Sequence, residues 1–304
     1  MIITVKILYS NIKKAIKGVK KMKHIIPISG KDSLTTAIVQ INRQPDLNYE
    51  FIYNDTGAEL PETYEWINKI EQQLNIKINR IGESLIDIMY LSGFLPSQKA
   101  RYCTRLSKIH PMEKFIGKDE SIIYIGLRAD EPLRVGYQST KNIKAVYPLR
   151  EMNINIDLVY KILDKFELEP PSFFWQDIYD RTIKKIDENI IKKLPRYIFN
   201  MLFSWRSRPN CYFCFNQRLY EWIGLYEHHP ELFEVSYDLE TEIGSSEYTF
   251  NKKENLVSII LRAEEIKNKR VNQIISSIYK YIEAPIFEEN DLLNQTSCGF
   301  LCGK

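Results

Sequence analysis

Short apolar segments alternate with longer segments of helical period over the first half of the chain. Apolar residues cluster at positions 25–28, 51–54, 76–81 and 122–126, which predicts four strands. Between them, at 34–41, 64–74 and 85–91, apolar residues recur every three or four positions, as amphipathic helices require. This alternation is typical of βαβ units. We therefore expect an α/β domain with a doubly wound, mainly parallel sheet over residues 24–150.

The second half of the chain has a different pattern. Apolar residues at helical spacing predict helices at 156–166, 178–194, 219–228, 256–266 and 271–281, with prolines at 170–171, 195 and 209 as breaks. Trp205, Tyr212, Phe213 and Trp222 stand at spacings that favour packing in a core over stacking on bases. We predict a mostly helical C-terminal region over residues 151–304 and treat residues 1–23 as an N-terminal extension.

Charge and composition narrow the class of protein. The 42 Lys and Arg residues nearly balance the 39 Asp and Glu residues, so the formal charge is only +3. A protein that coats nucleic acid would carry more positive charge, so any anion site must be local. No segment approaches the roughly 18 apolar residues of a membrane span, and the start lacks the regions of a secretory signal. We expect a cytoplasmic protein that has no membrane partner.

A candidate phosphate-binding loop follows the first predicted strand. Ser29, Gly30, Lys31, Asp32 and Ser33 stand between that strand and the next helix. Backbone N–H groups and the dipole at a helix N-terminus attract anions, glycine permits close backbone approach, and lysine supplies a point charge. The spacing is not that of a Walker loop. The alternative interpretation is a tight turn in which a serine caps the helix.

Two further loops should reach the same edge of the sheet. Asp55, Thr56 and Gly57 follow the second predicted strand, and Arg128 and Arg134 follow the fourth. Ligands bind at the carboxyl ends of parallel strands, where the aspartate could face a nucleotide hydroxyl or a metal ion and the two guanidinium groups could clamp an anion. The alternatives are an aspartate-closed turn and a salt-bridged surface loop.

Taken together, the motifs resemble the phosphoadenosine phosphosulfate reductase family. The segments SGKDS, YNDTGAELPETYEW, RYCTRLSKIHP, IGLRADEPLR and YPLRE occur in the order and spacing of that family. The family belongs to the wider adenine nucleotide α-hydrolase-like group, whose pyrophosphatase loop is usually written SGGKDS. This chain departs from the pattern, because Ile28, Ser29 and Gly30 stand where the family has Ser-Gly-Gly.

The resemblance implies a function as well as a fold. It assigns the phosphates of ATP or a related adenine nucleotide to the 29–33 loop, places residues 55–57 beside the nucleotide, and directs Arg128 and Arg134 at its anionic end. Lys31, Asp32 and Arg128 are then the catalytic candidates, with Mg²⁺ as charge partner. The implied reaction is at the α-phosphate, as in an ATP pyrophosphatase or an adenylylating sulfur-transfer enzyme that uses a sulfur donor.

Two other functions stay open. A thioredoxin-dependent sulfonucleotide reductase needs a nucleophilic cysteine in its tail, where Cys298 precedes a glycine but lacks the glutamate of the reductase motif. An accessory protein of DNA modification or defence would bind a nucleotide or nucleic acid together with a partner protein. The basic stretches at 184–185, 192–193 and 206–208 are short, which favours a solvated surface instead.

Five cysteines indicate metal or redox chemistry rather than disulfides, because thiols stay reduced inside cells. The spacing of Cys211 and Cys214 lets both thiolates reach one metal, and Cys298 and Cys302 could complete the set. The resembling reductases that hold a [4Fe–4S] cluster imply a different set, which is Cys103, Cys211, Cys214 and a tail cysteine, taken as Cys302. Spacing does not separate iron–sulfur from Zn²⁺, and the resemblance favours the cluster.

Overall fold

The computed structural model describes residues 22–137, 139–244 and 248–283. Five strands form one sheet, and they are β1 Lys23–Pro27, β2 Tyr49–Asn54, β3 Ile78–Ile81, β4 Ser121–Tyr124 and β5 Ile143–Val146. The helices of this first part are α1 Lys31–Arg43, α2 Pro61–Leu74, α3 Leu85–Ser92, α4 Tyr102–Thr104, α5 His110–Ile116 and α6 Pro148–Glu151, with a π-helical turn at Arg105–Ile109. The N-terminal extension lies outside the described residues up to position 21.

The sheet is parallel throughout, with strand order β3-β2-β1-β4-β5. Successive residues of each strand point to opposite faces, so Ile25 and Ile123 enter one hydrophobic core while Ile26 and Tyr124 enter another. Helices cover both cores, which confirms the predicted doubly wound α/β class. The strand order reverses between β1 and β4, and ligands of such sheets bind outside the carboxyl ends of the strands at that point.

The C-terminal part is helical, as predicted, and holds the largest hydrophobic core of the described chain. Trp205, Tyr212, Phe213 and Trp222 all lie in that core and are at most 4% exposed, which confirms their predicted packing role. Its helices are α7 Ile156–Lys165, α8 Gln176–Ile183, α9 Glu188–Ile191, α10 Arg196–Phe203, α11 Leu219–His228, α12 Pro230–Glu242, α13 Leu256–Leu261 and α14 Ala263–Glu283.

Three predicted helices of this part are wrong in extent. The segment 178–194 forms two helices, because the chain turns after Ile183 and Asp187 caps α9 by accepting from the Asn189 backbone N–H at 2.9 Å. The predicted helices at 256–266 and 271–281 divide differently, since α14 runs unbroken across residues 267–270. Lys267 and Arg270 interrupt the apolar pattern, yet both are buried, because Lys267 pairs with Asp177 and Arg270 donates to the Leu202 carbonyl.

Among the described residues, no helix combines the length with the apolar composition that crossing a membrane requires.

Candidate functional site

The 29–33 loop joins β1 to the N-terminus of α1. The Ser33 hydroxyl oxygen accepts from the backbone N–H groups of Ser29 at 2.9 Å and Gly30 at 3.1 Å, and its proton is donated to the Gly30 carbonyl at 2.9 Å. Ser33, the third residue of α1, therefore binds two backbone N–H groups at the start of the helix. The same hydrogen bonds hold the loop at the positive end of a 13-residue helix, where an anion is favoured.

Two glycines shape this end of the sheet in different ways. An added Cβ at Gly126 would lie 2.6 Å from the backbone carbon and oxygen of Asp32, so only glycine lets the loop after β4 pack on the start of α1. Gly30 has extended backbone, with φ 177, and an added Cβ there would meet no atom within 4 Å. The space in front of Gly30 is therefore open for another molecule.

The predicted arginine pair lies at this site, but both guanidinium groups contact carboxylates of the protein. Arg128 is 2% exposed and donates through Nη1 to both carboxylate oxygens of Asp32, at 3.1 and 3.0 Å. Its Nε donates to Asp130 at 3.0 Å. Arg134 donates to Glu131 at 2.9 Å. These contacts make Arg128 a group that positions Asp32 and the loop after β4.

The loop at residues 55–57 closes on itself, as the turn interpretation predicts. The Asp55 carboxylate accepts from the Gly57 backbone N–H at 3.0 Å and from the Tyr64 hydroxyl at 2.8 Å. Thr56 is fully buried and donates to Glu59 at 2.7 Å. Tyr53, Asn54 and Glu59, which flank this loop, line a cavity at the sheet edge. Asp55, Thr56 and Gly57 do not line it.

A cavity of about 220 Å³ lies between the sheet edge and the helical part. The sheet side contributes the whole 29–33 loop together with Tyr53, Asn54, Glu59, Lys108, Gly126, Arg128, Glu131 and Arg134. The helical side contributes Tyr160, Glu169, Phe173, Asn200, Ser204 and residues 206–210. The structure therefore brings the predicted phosphate loop and arginine pair together in one cavity, and adds a helical wall that the sequence analysis did not assign.

Several buried polar atoms of the cavity wall lack a protein partner. The Tyr53 hydroxyl, both terminal amide atoms of Asn54 and Oδ1 of Asn210 are buried and make no hydrogen bond within the described ranges. Tyr53 and Asn54 are only 3% and 4% exposed. Buried polar groups in native proteins almost always have partners, so these atoms are available to bind water or a polar ligand in the cavity.

Lys108 enters the cavity from the π-helical turn, a rare element that is frequent at functional sites. Its positive charge acts on Glu59 and Cys211. Burial raises the pKa of the Glu59 carboxyl, and burial raises the pKa of the Cys211 thiol to about 12; in both cases the charge of Lys108 opposes the rise. The sequence signal for Lys108 was its position in the RYCTRLSKIHP motif.

The first cysteine of the predicted pair lies against the turn that follows β2. Its Sγ is 3.5 Å from Thr56 Oγ1, and the neighbouring Tyr212 N–H donates to the Ala58 carbonyl at 2.7 Å. The Cys214 N–H donates to the Cys211 carbonyl at 3.0 Å, so both thiols belong to one tight turn. Cys103 packs against the same core.

These residues alone do not make a metal site. Within the described ranges, no three His, Cys, Asp or Glu side chains are grouped so that they could hold a metal ion. Cys298 and Cys302 lie outside those ranges. The described cysteines therefore supply at most part of a set of metal ligands.

Comparison with known proteins agrees with the fold and with the loop arrangement. Residues 23–155 match the family model described as the phosphoadenosine phosphosulfate reductase domain. Over these 133 of its 304 residues, the chain is similar to that family. The matched residues include all five strands, the 29–33 loop, Arg128 and Arg134, so the family resemblance seen in the sequence is confirmed.

Relatives of the chain add little about chemistry. An uncharacterised protein of Methanocaldococcus jannaschii is 32% identical over 125 residues, which cover 40% of this chain and 25% of that protein. A second uncharacterised protein of the same organism is 26% identical over 247 residues, which cover 78% of this chain and 53% of that protein. The chain thus spans about a quarter and about half of the lengths of these curated relatives.

One solved structure is also similar. The crystal structure of phosphoadenylyl-sulfate reductase from Candida auris, a phosphate complex, is 15% identical, with a TM-score of 0.38 over 54% of this chain and 79% of that chain. A likeness at this level carries no argument about the site.

Proposed function

We propose that this chain binds ATP or a related adenine nucleotide, with its phosphates at the 29–33 loop, and acts at the α-phosphate. The observation that carries the proposal is the position of that loop. It stands at the N-terminus of α1 and at the strand-order reversal, and it faces the cavity inside a phosphoadenosine phosphosulfate reductase domain.

Each part of the loop has a role in this proposal. Lys31 supplies a point charge at the cavity wall, and the open space before Gly30 lets phosphate oxygens approach the backbone. Asp32 is held by Arg128 in the first helical turn. Preorganised charges of this kind stabilise the negative charge that develops on phosphate oxygens during bond cleavage.

Magnesium belongs to the same proposal. Proteins usually hold Mg²⁺ through one or two carboxylates together with substrate phosphates, and Asp32 and Glu131 are the carboxylates nearest to the arginine pair in the cavity wall. The ion would neutralise charge on an uncleaved triphosphate.

Product analysis tests the reaction. ATP with Mg²⁺ should release pyrophosphate in the presence of the wild-type protein and a sulfur donor or other acceptor. Lys31→Gln should abolish that release, while Arg43→Gln, a substitution at the exposed end of α1, should leave it unchanged. Release of orthophosphate without pyrophosphate would contradict action at the α-phosphate.

A second candidate is thioredoxin-dependent reduction of a sulfonucleotide, which the matched domain favours. In that reaction the Cys298 thiolate would attack the sulfate sulfur and displace the nucleotide, and reduced thioredoxin would then release sulfite. Sulfite formation from a sulfonucleotide with reduced thioredoxin, lost in Cys298→Ser, would select this candidate over the first.

The cysteine centre stays a prediction, with Cys103, Cys211, Cys214 and Cys302 as its ligands. Protein purified without oxygen should contain iron and sulfide and absorb near roughly 400 nm, and Cys211→Ala should remove that absorption. A colourless protein with stoichiometric zinc would show that the centre is a structural zinc site and not an iron–sulfur cluster. Absence of any metal would contradict both forms of the prediction.

A further inference from the structure

Six basic side chains line the cavity, which are Lys31, Lys108, Arg128, Arg134, Arg206 and Arg208. Most of them have evident protein partners. Asp32 contacts Arg128 at 3.0 Å and Lys31 at 3.7 Å, and Glu131 contacts Arg134 at 2.9 Å. These three cations therefore have carboxylate neighbours before any ligand binds.

Arg206 is also fully engaged, although it pairs with carbonyl groups. It is 1% exposed and donates to the backbone carbonyls of Asn210 at 2.6 Å and Cys211 at 2.7 Å, and to the Gln217 side-chain oxygen. These bonds hold residues 206–210 in a fixed loop in front of the cysteine turn. We refer to residues 206–210 as the 206–210 loop.

A buried carboxylate completes the support of this loop. Glu221 is 3% exposed and accepts from the backbone N–H and the hydroxyl of Ser207, at 2.8 and 2.7 Å. The same carboxylate accepts from the Arg218 N–H at the start of α11. Two buried charged groups, Arg206 and Glu221, thus fix the 206–210 loop. Burial of their charges costs free energy, which the hydrogen bonds to the loop offset.

Arg208 differs from the other five cations. Its side chain lines the cavity, and no hydrogen bond or ion pair joins its guanidinium to any residue in the described part of the chain. Next to it along the loop, Asn210 Oδ1 is buried and unpaired. A rigid loop therefore presents an uncommitted guanidinium and an acceptor that needs an N–H or O–H donor.

We propose that Arg208 binds a tetrahedral oxyanion, a phosphate or a sulfate, on the helical wall of the cavity, separately from the group held by the 29–33 loop. The guanidinium fork matches two oxygens of such a group. The oxyanion would belong either to the nucleotide, as a second phosphate, or to a second substrate. The inference rests on the proposed function, because that function places the first phosphate at the 29–33 loop.

Three probes separate these sources. Equilibrium binding is measured for AMP, for adenosine 3′,5′-bisphosphate, and for inorganic sulfate added to AMP-saturated protein. The proteins are the wild type, Arg208→Gln, Arg208→Lys, Lys31→Gln and the surface control Arg43→Gln. Arg208→Lys keeps the charge and loses the fork, so it should restore only part of the affinity.

Arg208→Gln should weaken binding of the bisphosphate or of sulfate by about tenfold to a hundredfold, and that of AMP by less than about threefold. Loss confined to the bisphosphate assigns the oxyanion to the nucleotide, and loss confined to sulfate assigns it to a second substrate. The inference is overturned if wild-type protein binds neither probe, or if Arg208→Gln changes none of the three more than Arg43→Gln does.

Equal loss for all three probes in Arg208→Gln also overturns it, because Arg208 would then support the whole site. Failure of the proposed function gives a different result. In that case AMP does not bind, or Lys31→Gln leaves its affinity unchanged, and sulfate titrated without AMP still reports on Arg208.

Discussion

The Arg128 guanidinium contacts both carboxylate oxygens of Asp32, at 3.1 and 3.0 Å, although the two residues are 96 positions apart in the sequence. The pair joins the loop after β4 to the first turn of α1, at the point where the strand order reverses. Arg128 has a 3% exposed side chain and Asp32 an 18% exposed one, so solvent screens the pair only weakly.

Arg128→Gln should lower the free energy of unfolding by about 3 kcal/mol, because it leaves a largely buried carboxylate with only the more distant Lys31, at 3.7 Å, as a cationic neighbour. Asp32→Asn in the same protein should recover part of the loss, with a coupling energy of about 1–3 kcal/mol. Urea unfolding of the two single variants and the double variant measures this coupling. Strictly additive losses would mean that the contact contributes nothing.

Gly126→Ala should lower the free energy of unfolding by about 1–3 kcal/mol, since its methyl group would meet the Asp32 backbone at 2.6 Å. Gly30→Ala is the matched control. Its methyl group meets no atom within 4 Å, so it should unfold like the wild type but bind ATP more weakly. Thermal unfolding of both variants checks the contrast, and equal melting temperatures would refute the close packing at Gly126.

The support of the 206–210 loop should depend on pH. Burial alone would raise the pKa of Glu221, but the charges of Arg218 and Arg206 and the backbone N–H groups of Arg218 and Ser207 outweigh it, so the pKa lies below its ordinary value of 4.5. A lowered carboxyl pKa stabilises the fold above the unfolded value, and this stability is lost as pH falls from about 4.5 toward the folded pKa.

Glu221→Gln should therefore lose less stability than the wild type between pH 5 and pH 3, as urea unfolding at each pH would report. At pH 7 the variant should already be less stable, because Gln cannot accept from three donors as a carboxylate does. A parallel pH dependence of the two proteins would show that Glu221 has no depressed pKa.

The two cysteines of the 211–214 turn should react at different rates in metal-free protein. Burial raises the pKa of Cys211 to about 12, so its thiol is protonated and shielded at pH 8, whereas Cys214 is partly exposed. Iodoacetamide followed by peptide mass spectrometry should find Cys214 modified first. Equal rates would argue against the burial of Cys211, and protection of both until a chelator is added would indicate a bound metal.

Much of the α/β fold was predictable because its signals are local. The strands at β1, β2, β3 and β4 follow from short apolar runs, and α1, α2 and α3 from helical spacing between them. The edge strand β5 escaped prediction, because only Ile143 among its four residues is buried, so its pattern resembles a loop. The helices α5, α10 and α12 were not predicted from the sequence either.

The phosphate loop and the arginine pair were predictable for a similar reason, since each follows an apolar strand directly. Residues 206–210 were not, because their place in the cavity depends on the packing of the helical part. Arg206 looks like a surface residue in the sequence and is buried in the structure, where backbone carbonyls compensate its charge. The contact of residues 55–57 with a nucleotide stays a prediction.

Calorimetric titration of ATP into the wild type, Lys31→Gln and Arg43→Gln measures whether the 29–33 loop binds the phosphates. We predict that wild type and Arg43→Gln bind ATP alike, and that Lys31→Gln binds it at least about tenfold more weakly, because a charge-assisted phosphate contact is lost. Equal ATP affinity in all three proteins, or no binding by the wild type, would contradict the assignment of the 29–33 loop as the phosphate site.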